Sequence, residues 1–423
     1  MRKGKLILAL CLLALMVSLI IPAFAAPQVT LTIWAGDPID NPAKTDATYV
    51  RELYNGFQKK YPDIKLDWVS FGYQGSPLND KLKASLPNNQ GPDIFQSWGG
   101  SFMGQFADAG KLLDLTKELK KVPTSKAAQA AMSWKGKIYG VAPFFAVAGL
   151  IVNEGKFKEY GLKVPTTIDE FEKVCDTLKA KGIQPVAVGA KDQWPVLATY
   201  MYLVNRYGGN IFADAVARKV RFDSAAFVNA GKKYQEWAKK GYFGDKSLSE
   251  SYNDAQMLMS TGKAGMQISG SWLCGLYSDP KQTDQTLGFY SVPILKGGKG
   301  AVSDVMGMTD TGFAATILGE KKKDAVVKFL KYALSVEACE KETGRVCSVP
   351  GVKAPTKLTG MASTNVMTKA KKVQFWWDQD LPATVSTPIN TTIQSFFLSD
   401  TDVKKALTKF EELAQENMGP IKK

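Results

Sequence analysis

Apolar and polar residues alternate along VTLTIWA, residues 29–35, and the run stops at Gly36, which predicts a strand leading into a loop. The next stretch, ATYVRELYNGFQKKYPD, carries apolar residues at helical spacing and is stopped by Pro62, after which IKLDWVSF returns to the period of a strand. A second helix, PLNDKLKASLPNN, leads into GPDIFQSWGG, a short strand entered through Gly-Pro. Strands alternating with helices of this length predict an α/β fold with a mainly parallel sheet covered on both faces. Right-handed crossovers follow, with ligands at loops beyond the carboxyl ends of the strands.

The pattern continues with different lengths. GKIYGVAPFFAVAGLIVNEG reads as two extended segments around Pro143, and TTIDEFEKVCDTLKAKG as a helix with a Thr-x-x-Glu capping box. Helices dominate through WPVLATYMYLVNRYGG, FVNAGKKYQEWAKKG and DAQMLMSTGKAG, and strands return at AGMQISG and LGFYSVPIL. A glycine-rich, mobile-looking link, KGGKGAVSD, precedes VMGMTDTGFAAT, the helix KKKDAVVKFLKYALSVEACEKETG, and a helical region from about residue 356 onward. There is no internal repeat and no low-complexity segment.

Residues 1–25 follow another rule. Arg2, Lys3 and Lys5 precede the apolar run LILALCLLALMVSLII, Pro22 breaks it, and AFAA offers small residues for cleavage after Ala25. The segment is read as a signal peptide, too short for a membrane span, and Cys11 leaves with it because its surroundings do not suit a lipid anchor. Export to a periplasm or the outer face of the cytoplasmic membrane is therefore expected.

Composition narrows the chemistry. The 423 residues, too many for one small core, favour two domains or one large α/β unit. The leader removes three of 54 basic residues against 40 acidic ones, and the remaining positive excess is spread thinly over helix ends, with no basic stripe for nucleic acid. There is no histidine, which excludes Ser-His-Asp and Cys-His nucleophile systems and His-ligated zinc. No cofactor or metal is expected. Cys339 and Cys347 are close enough in sequence for either a disulfide or two free thiols, while Cys175 reads as a buried free thiol in a helix.

The segments LTIWAGD, GFQKKYPDIKLDWV, GPDIFQSW, YGVAPFFAVAGLIVNE, PTTIDEFEKVCDTLKAKGIQPVAV, WPVLATYMYLVNRYGG, MSTGKAGMQISGSWL and VVKFLKYALSVEA occur in an order that resembles the extracellular solute-binding proteins of ABC importers. The resemblance is to the sugar-binding group similar to maltose-binding protein. It covers the chain from about Val29 to its end. It implies a two-lobed periplasmic-binding-protein fold of type II, a ligand cleft between the lobes and a hinge of several segments. One lobe would hold 26–146 and 296–345, the other 147–295 and 346–423, with crossings at FFAVAG, PILKGGKG and GRVCSVPG. It also implies a protein that captures a carbohydrate, an oligosaccharide by the number of cleft-edge aromatics, and delivers it as a monomer to membrane permease subunits without catalysis.

A sugar offers an apolar C–H face and a rim of hydroxyls, so it calls for flat aromatic platforms and fixed polar groups. Trp272, after the ISG strand end, matches a cleft-facing tryptophan of the resembled family. Trp194 opens a helix with Asp192 and Gln193 beside it, and Trp98 ends the PDIFQ strand. Asp37, in the loop after the first strand, matches a carboxylate position, with Gln74 and Ser97 as weaker polar candidates. Met308 and Asp310 lie in the glycine-rich strand expected along the cleft floor. Trp68, Trp134 and Trp237 read as packing residues, and Trp34 as buried beside the cleft.

In VQFWWDQDL, residues 373–381, adjacent positions on a helix diverge by about 100°, so Trp376 and Trp377 cannot share one sugar face. One of them is expected to stack, with Asp378 as the nearest hydroxyl acceptor. The alternatives are a secreted glycoside hydrolase, which needs two placed carboxyl groups, or the same fold binding a polyamine or a phosphorylated polyol. Polyamine and phosphate clefts want clusters of carboxylates or arginines that the candidate residues do not form.

Overall fold

The computed structural model describes residues 29–36, 39, 48–71, 76–342 and 344–422. The leader, Asp37 and Gln74 lie outside the described residues. Nine strands join one sheet: β1 (Val29–Ala35), β2 (Ile64–Ser70), β3 (Ile94–Gln96), β4 (Gly140–Asn153), β5 (Gln184–Val186), β6 (Ala264–Gly270), β7 (Leu287–Tyr290), β8 (Asp304–Ala315) and β9 (Lys372–Phe375). The helices that matter below are α1 (Thr48–Lys60), α2 (Ser76–Ser85), α3 (Gly100–Asp108), α4 (Ile168–Ala180), α5 (Val196–Gly208), α6 (Ala225–Lys239) and α7 (Tyr252–Ser260). They continue with α8 (Lys323–Ala333), α9 (Val336–Cys339), α10 (Trp377–Asp380), α11 (Ala383–Gln394) and α12 (Val403–Met418).

The margins of the sheet are parallel, as the strand-helix alternation predicts: β1 runs with β2 and β3, and β5 with β6. Its centre is not. β8 runs against β3 and β4, and β4 runs against β6 and β7. These two long strands do not follow βαβ crossovers, and the period along a strand carries no information about which strand it will meet.

β4 is one buried strand of 14 residues rather than two segments around Pro143. Proline cannot donate to a ladder. Here it falls where the register slips, between Val141↔Phe313 and Phe144↔Thr311, and its carbonyl accepts from Ser348 N at 2.8 Å. Up to Val147 β4 pairs with β8, and from Ala148 it pairs with β6 and β7. The strand thus joins two sheet halves, with the change of partner between Val147 and Ala148.

Each half has its own core. Leu31, Ile33, Phe57, Phe313 and Phe329 pack α1 and α8 onto the first half, while Phe171, Tyr200, Phe227 and Phe410 pack α4, α5, α6 and α12 around the second. A third cluster, with Phe145, Val147, Leu273 and Val305, draws on both. Thr167 and Glu170 form the expected capping box at α4, and Ser251 with Asp254 forms another at α7.

The glycine-rich link is held by buried Arg206 on α5. Its guanidinium donates to the carbonyls of Val292, Pro293 and Ala301 at 3.0, 3.0 and 2.9 Å, and Lys299 N donates back to Arg206 O at 3.0 Å. Among the described residues no helix is long and apolar enough to cross a membrane.

Candidate ligand-binding site

β6 ends at Gly270, and the chain turns through Ser271–Leu273 so that the Trp272 indole folds back over the strand end. A Cβ at Gly270 would lie 2.0 Å from that ring, so only glycine permits the fold-back. Trp194 follows a turn in which Gln193 takes φ 63°, and Asp192 Oδ2 accepts the Tyr252 N–H at 2.8 Å. That bond sets the first turn of α7 beside Trp194. The Trp272 indole N–H donates to the Tyr252 hydroxyl at 2.6 Å. Ring centroids are 4.5 Å apart for Trp194 and Tyr252, 6.1 Å for Trp194 and Trp272, and 5.4 Å for Trp272 and Trp376. Three half-buried aromatic residues from separate elements, Trp194, Tyr252 and Trp272, form one wall, with the buried Trp376 packed against Trp272.

The VQFWWDQDL stretch is not the end of a helix. Residues 372–375 form β9 beside β8, Trp376 is extended at ψ 132°, and the short α10 begins at Trp377. The switch in backbone sends the two indoles apart. Trp376 meets Trp272, whereas Trp377 stacks on Phe212 at 4.3 Å and 4° and packs edge-on against Tyr200. Both are buried, Trp376 at 1% and Trp377 at 0% exposure, so neither presents a face to a ligand here; Trp377 is surrounded by core rings and leaves the candidate site, whereas Trp376 packs against Trp272.

α10 also lies on the seam between the halves. Ser101 Oγ on α3 is 2.7 Å from the carbonyls of both Gln379 and Leu381, and Gln379 Nε2 donates to Met308 Sδ at 3.8 Å. Nearby, Asp310 is the extra residue of a β-bulge, since Thr309 pairs with Phe145 and Thr311 with Phe144. Bulges re-aim side chains at sites. Arg345 hydrogen-bonds to Thr311 and is 3.9 Å from Asp310, whose charge reaches Tyr252.

Several polar atoms here are buried without a hydrogen-bond partner among the described residues: Thr309 Oγ1, Trp376 Nε1, Asp378 Oδ1 and Asn390 Oδ1. Buried polar atoms are rarely left unpaired, so each of these calls for an explanation. Burial pushes the carboxyls of Asp378 and Asp380 up to about 6, against partial relief at Asp378 from backbone donors and Asn390. Burial also raises the Tyr252 phenol to about 12, which keeps it a neutral donor. Among the described residues no group of three or more His, Cys, Asp or Glu could hold a metal ion.

A model of the bacterial extracellular solute-binding protein family matches residues 40–338. The chain belongs to this family. This solute-binding protein is 26% identical over 309 residues to the multiple sugar-binding protein of Streptococcus mutans, with 70% of each chain covered. A solved structure from work on xylan utilisation by Caldanaerobius polysaccharolyticus superposes with a TM-score of 0.81 at 25% identity, covering 91% of this chain and 99% of that one. A chitin oligosaccharide binding protein superposes with a TM-score of 0.82 at 24% identity, covering 93% and 100%. The two-lobed fold is therefore that of the periplasmic solute-binding proteins, and the family is one of binding proteins.

Of the residues expected from the sequence of this solute-binding protein, the structure brings Trp194, Trp272, Trp376, Asp378 and Met308 to one region. Asp192 instead supports it from behind, through Tyr252. Ser97 is fully buried, with its hydroxyl accepting from Gly99 N at 3.0 Å, so it shapes its own turn and has no free surface. Trp98 is half-buried at the start of the loop into α3. Trp68, Trp134 and Trp237 pack as expected, on Phe313, over Gly104 and on Phe171 respectively. Tyr252, Gln379, Asn390 and Arg345 had escaped sequence reasoning. A capping box at Ser251 was the one local signal for Tyr252; the others carry none.

Proposed function

We propose that this chain is the extracytoplasmic binding component of an ABC importer that captures a carbohydrate, an oligosaccharide, and presents it to a membrane permease. The observation that carries the reading is the wall of Trp194, Tyr252 and Trp272 beside buried, unpaired polar atoms of Trp376, Asp378 and Asn390. Stacked rings suit sugar C–H faces, and the unpaired atoms suit hydroxyls, which donate and accept at once. The multiple sugar-binding relative and the chitin oligosaccharide binding neighbour support the same class.

In this reading the lobes comprise 26–146 with 296–345 and 147–295 with 346–423. The change of partners along β4 supports the first boundary. The protein acts as a monomer after export by its leader, and the ligand closes the lobes by a hinge motion that the permease reads. Titration against a panel of neutral mono- and oligosaccharides should give saturable quenching of tryptophan fluorescence and a rise in Tm with one class. A panel without a thermal or fluorescence response would sink the carbohydrate assignment.

A further inference from the structure

The third crossing between the halves passes through Cys347, and its surroundings bring it to Cys339. Cys339 closes α9, and its Sγ is 3.5 Å from Ala333 O, the same carbonyl that takes the Tyr49 hydroxyl at 3.0 Å. The Tyr49 ring packs edge-on against Phe144 at 4.7 Å, and Phe144 makes an isolated β-bridge with Cys347. The two thiols thus lie on one side of Tyr49 in the same core cluster, each donating to a backbone carbonyl, Cys339 to Ala333 O and Cys347 to Pro143 O, and each shifts the other's titration. Both are reduced in the structure, as are Cys175 and Cys274. Cys339 is fully buried and Cys347 is half-buried, with its sulfur accepting from Val349 N at 3.4 Å.

We propose that Cys339 and Cys347 are a redox pair that closes to a disulfide by exchange with an external disulfide, stapling the third crossing to α9. The more accessible Cys347 attacks first, as a thiolate. Its sulfur bonds to one sulfur of the donor, the donor S–S bond breaks, and one donor thiol leaves with a proton. Cys339, deprotonated in turn, then attacks Cys347 Sγ in the mixed disulfide and expels the second donor thiol. Two chain thiols are oxidised and one donor disulfide is reduced to two thiols, so atoms and electrons balance. The neighbouring Cys339 holds the Cys347 thiol below its ordinary value, and Cys347 is the more accessible of the two, which together favour this order of attack.

The staple has a purpose in the fold. The loop it closes carries Glu342, which accepts from Tyr49 N, and Arg345, which reaches Thr311 beside the candidate site. A disulfide across this short loop limits how far Arg345 departs when the structure breathes.

The test is thiol mapping of the folded full chain after incubation with oxidised glutathione, followed by denaturation, alkylation and non-reducing digestion. The expected result is a peptide linking Cys339 to Cys347, with Cys175 and Cys274 still alkylated. The oxidised protein should lose about 2–5 °C in Tm on reduction, a difference that Cys347→Ser abolishes and Cys175→Ser keeps. A persistent glutathione adduct on Cys347, a link to Cys175 or Cys274, or four alkylated thiols would each overturn the pairing.

Discussion

Adjacent buried residues pack on different partners at 376 and 377, Trp272 for the first and Phe212 for the second. Trp194→Ala and Trp272→Ala, which remove half-buried rings, should each weaken sugar binding by about 10- to 100-fold, the loss of about 1.5–3 kcal/mol from one stacking surface, with Tm little changed. Trp377→Ala should instead cost about 3–5 kcal/mol of stability by opening a cavity against Phe212 and Tyr200. Calorimetric titration beside urea unfolding separates the two outcomes, and equal loss of affinity in all three variants would contradict the assignment. Asp378 offers a second separation. Its folded pKa is raised to about 6 from an ordinary 3.8, so the fold is penalised for the ionised form. The native chain then binds more protons than the unfolded one between those values, and stability falls as pH rises through that window and stays lowered above it. Asp378→Asn should therefore raise stability at pH 7.5 by about 3 kcal/mol, and lose the advantage near pH 4, while weakening the ligand at both. A stabilisation independent of pH would refute burial as the cause.

At the scale of elements, much was legible and the limits have physical reasons. The period-two run of β1 and the 3.6-period runs of α1, α4 and α8 are local signals, and they appear where expected. β9 escaped because four residues between helical stretches are too short for a period, and the antiparallel centre escaped because pairing is tertiary. The link around Gly297–Gly300 looked mobile because its composition is; what orders it is Arg206, 86 to 95 positions away in sequence from the carbonyls it binds. Arg206→Lys keeps the charge and loses the fork that meets three carbonyls. Urea unfolding should register a loss of about 2–3 kcal/mol, and a change within error would deny the clasp. A second buried ion anchors α12: Arg218 Nη2 meets Glu411 Oε1 at 2.6 Å, and Phe222 N donates to the same carboxylate at 2.8 Å. These partners hold Glu411 below its ordinary value despite burial, so its contribution is present above about pH 4.5 and is lost as pH falls through the folded value. Glu411→Gln leaves Arg218 buried without its counter-charge, and the same urea series at pH 7 should show about 3–5 kcal/mol lost.

For the whole molecule, the question is how two cores joined through β4 transmit the presence of a ligand. One contact that crosses the seam near the candidate site is between the start of α3 and α10. Gly100 there has φ 59°, and a Cβ would sit 2.6 Å from Gln379 O, the carbonyl that Ser101 also reaches. Gln379 in turn touches Met308, and Trp376, two residues before Asp378, faces Trp272. The seam contact and the packing against the aromatic wall are therefore carried by the same few residues of VQFWWDQDL. Gly100→Ala forces α10 away from α3 without entering either core, at a local backbone cost of about 1 kcal/mol. Sugar affinity should fall by about tenfold or more, because the ligand must then drive closure against the clash. Small-angle scattering gives the independent readout: the saturated native chain should contract relative to the free one, and saturated Gly100→Ala should contract less. Equal contraction with native affinity would place the seam contact outside the closure and leave β4 and the other crossings as the sole couplers.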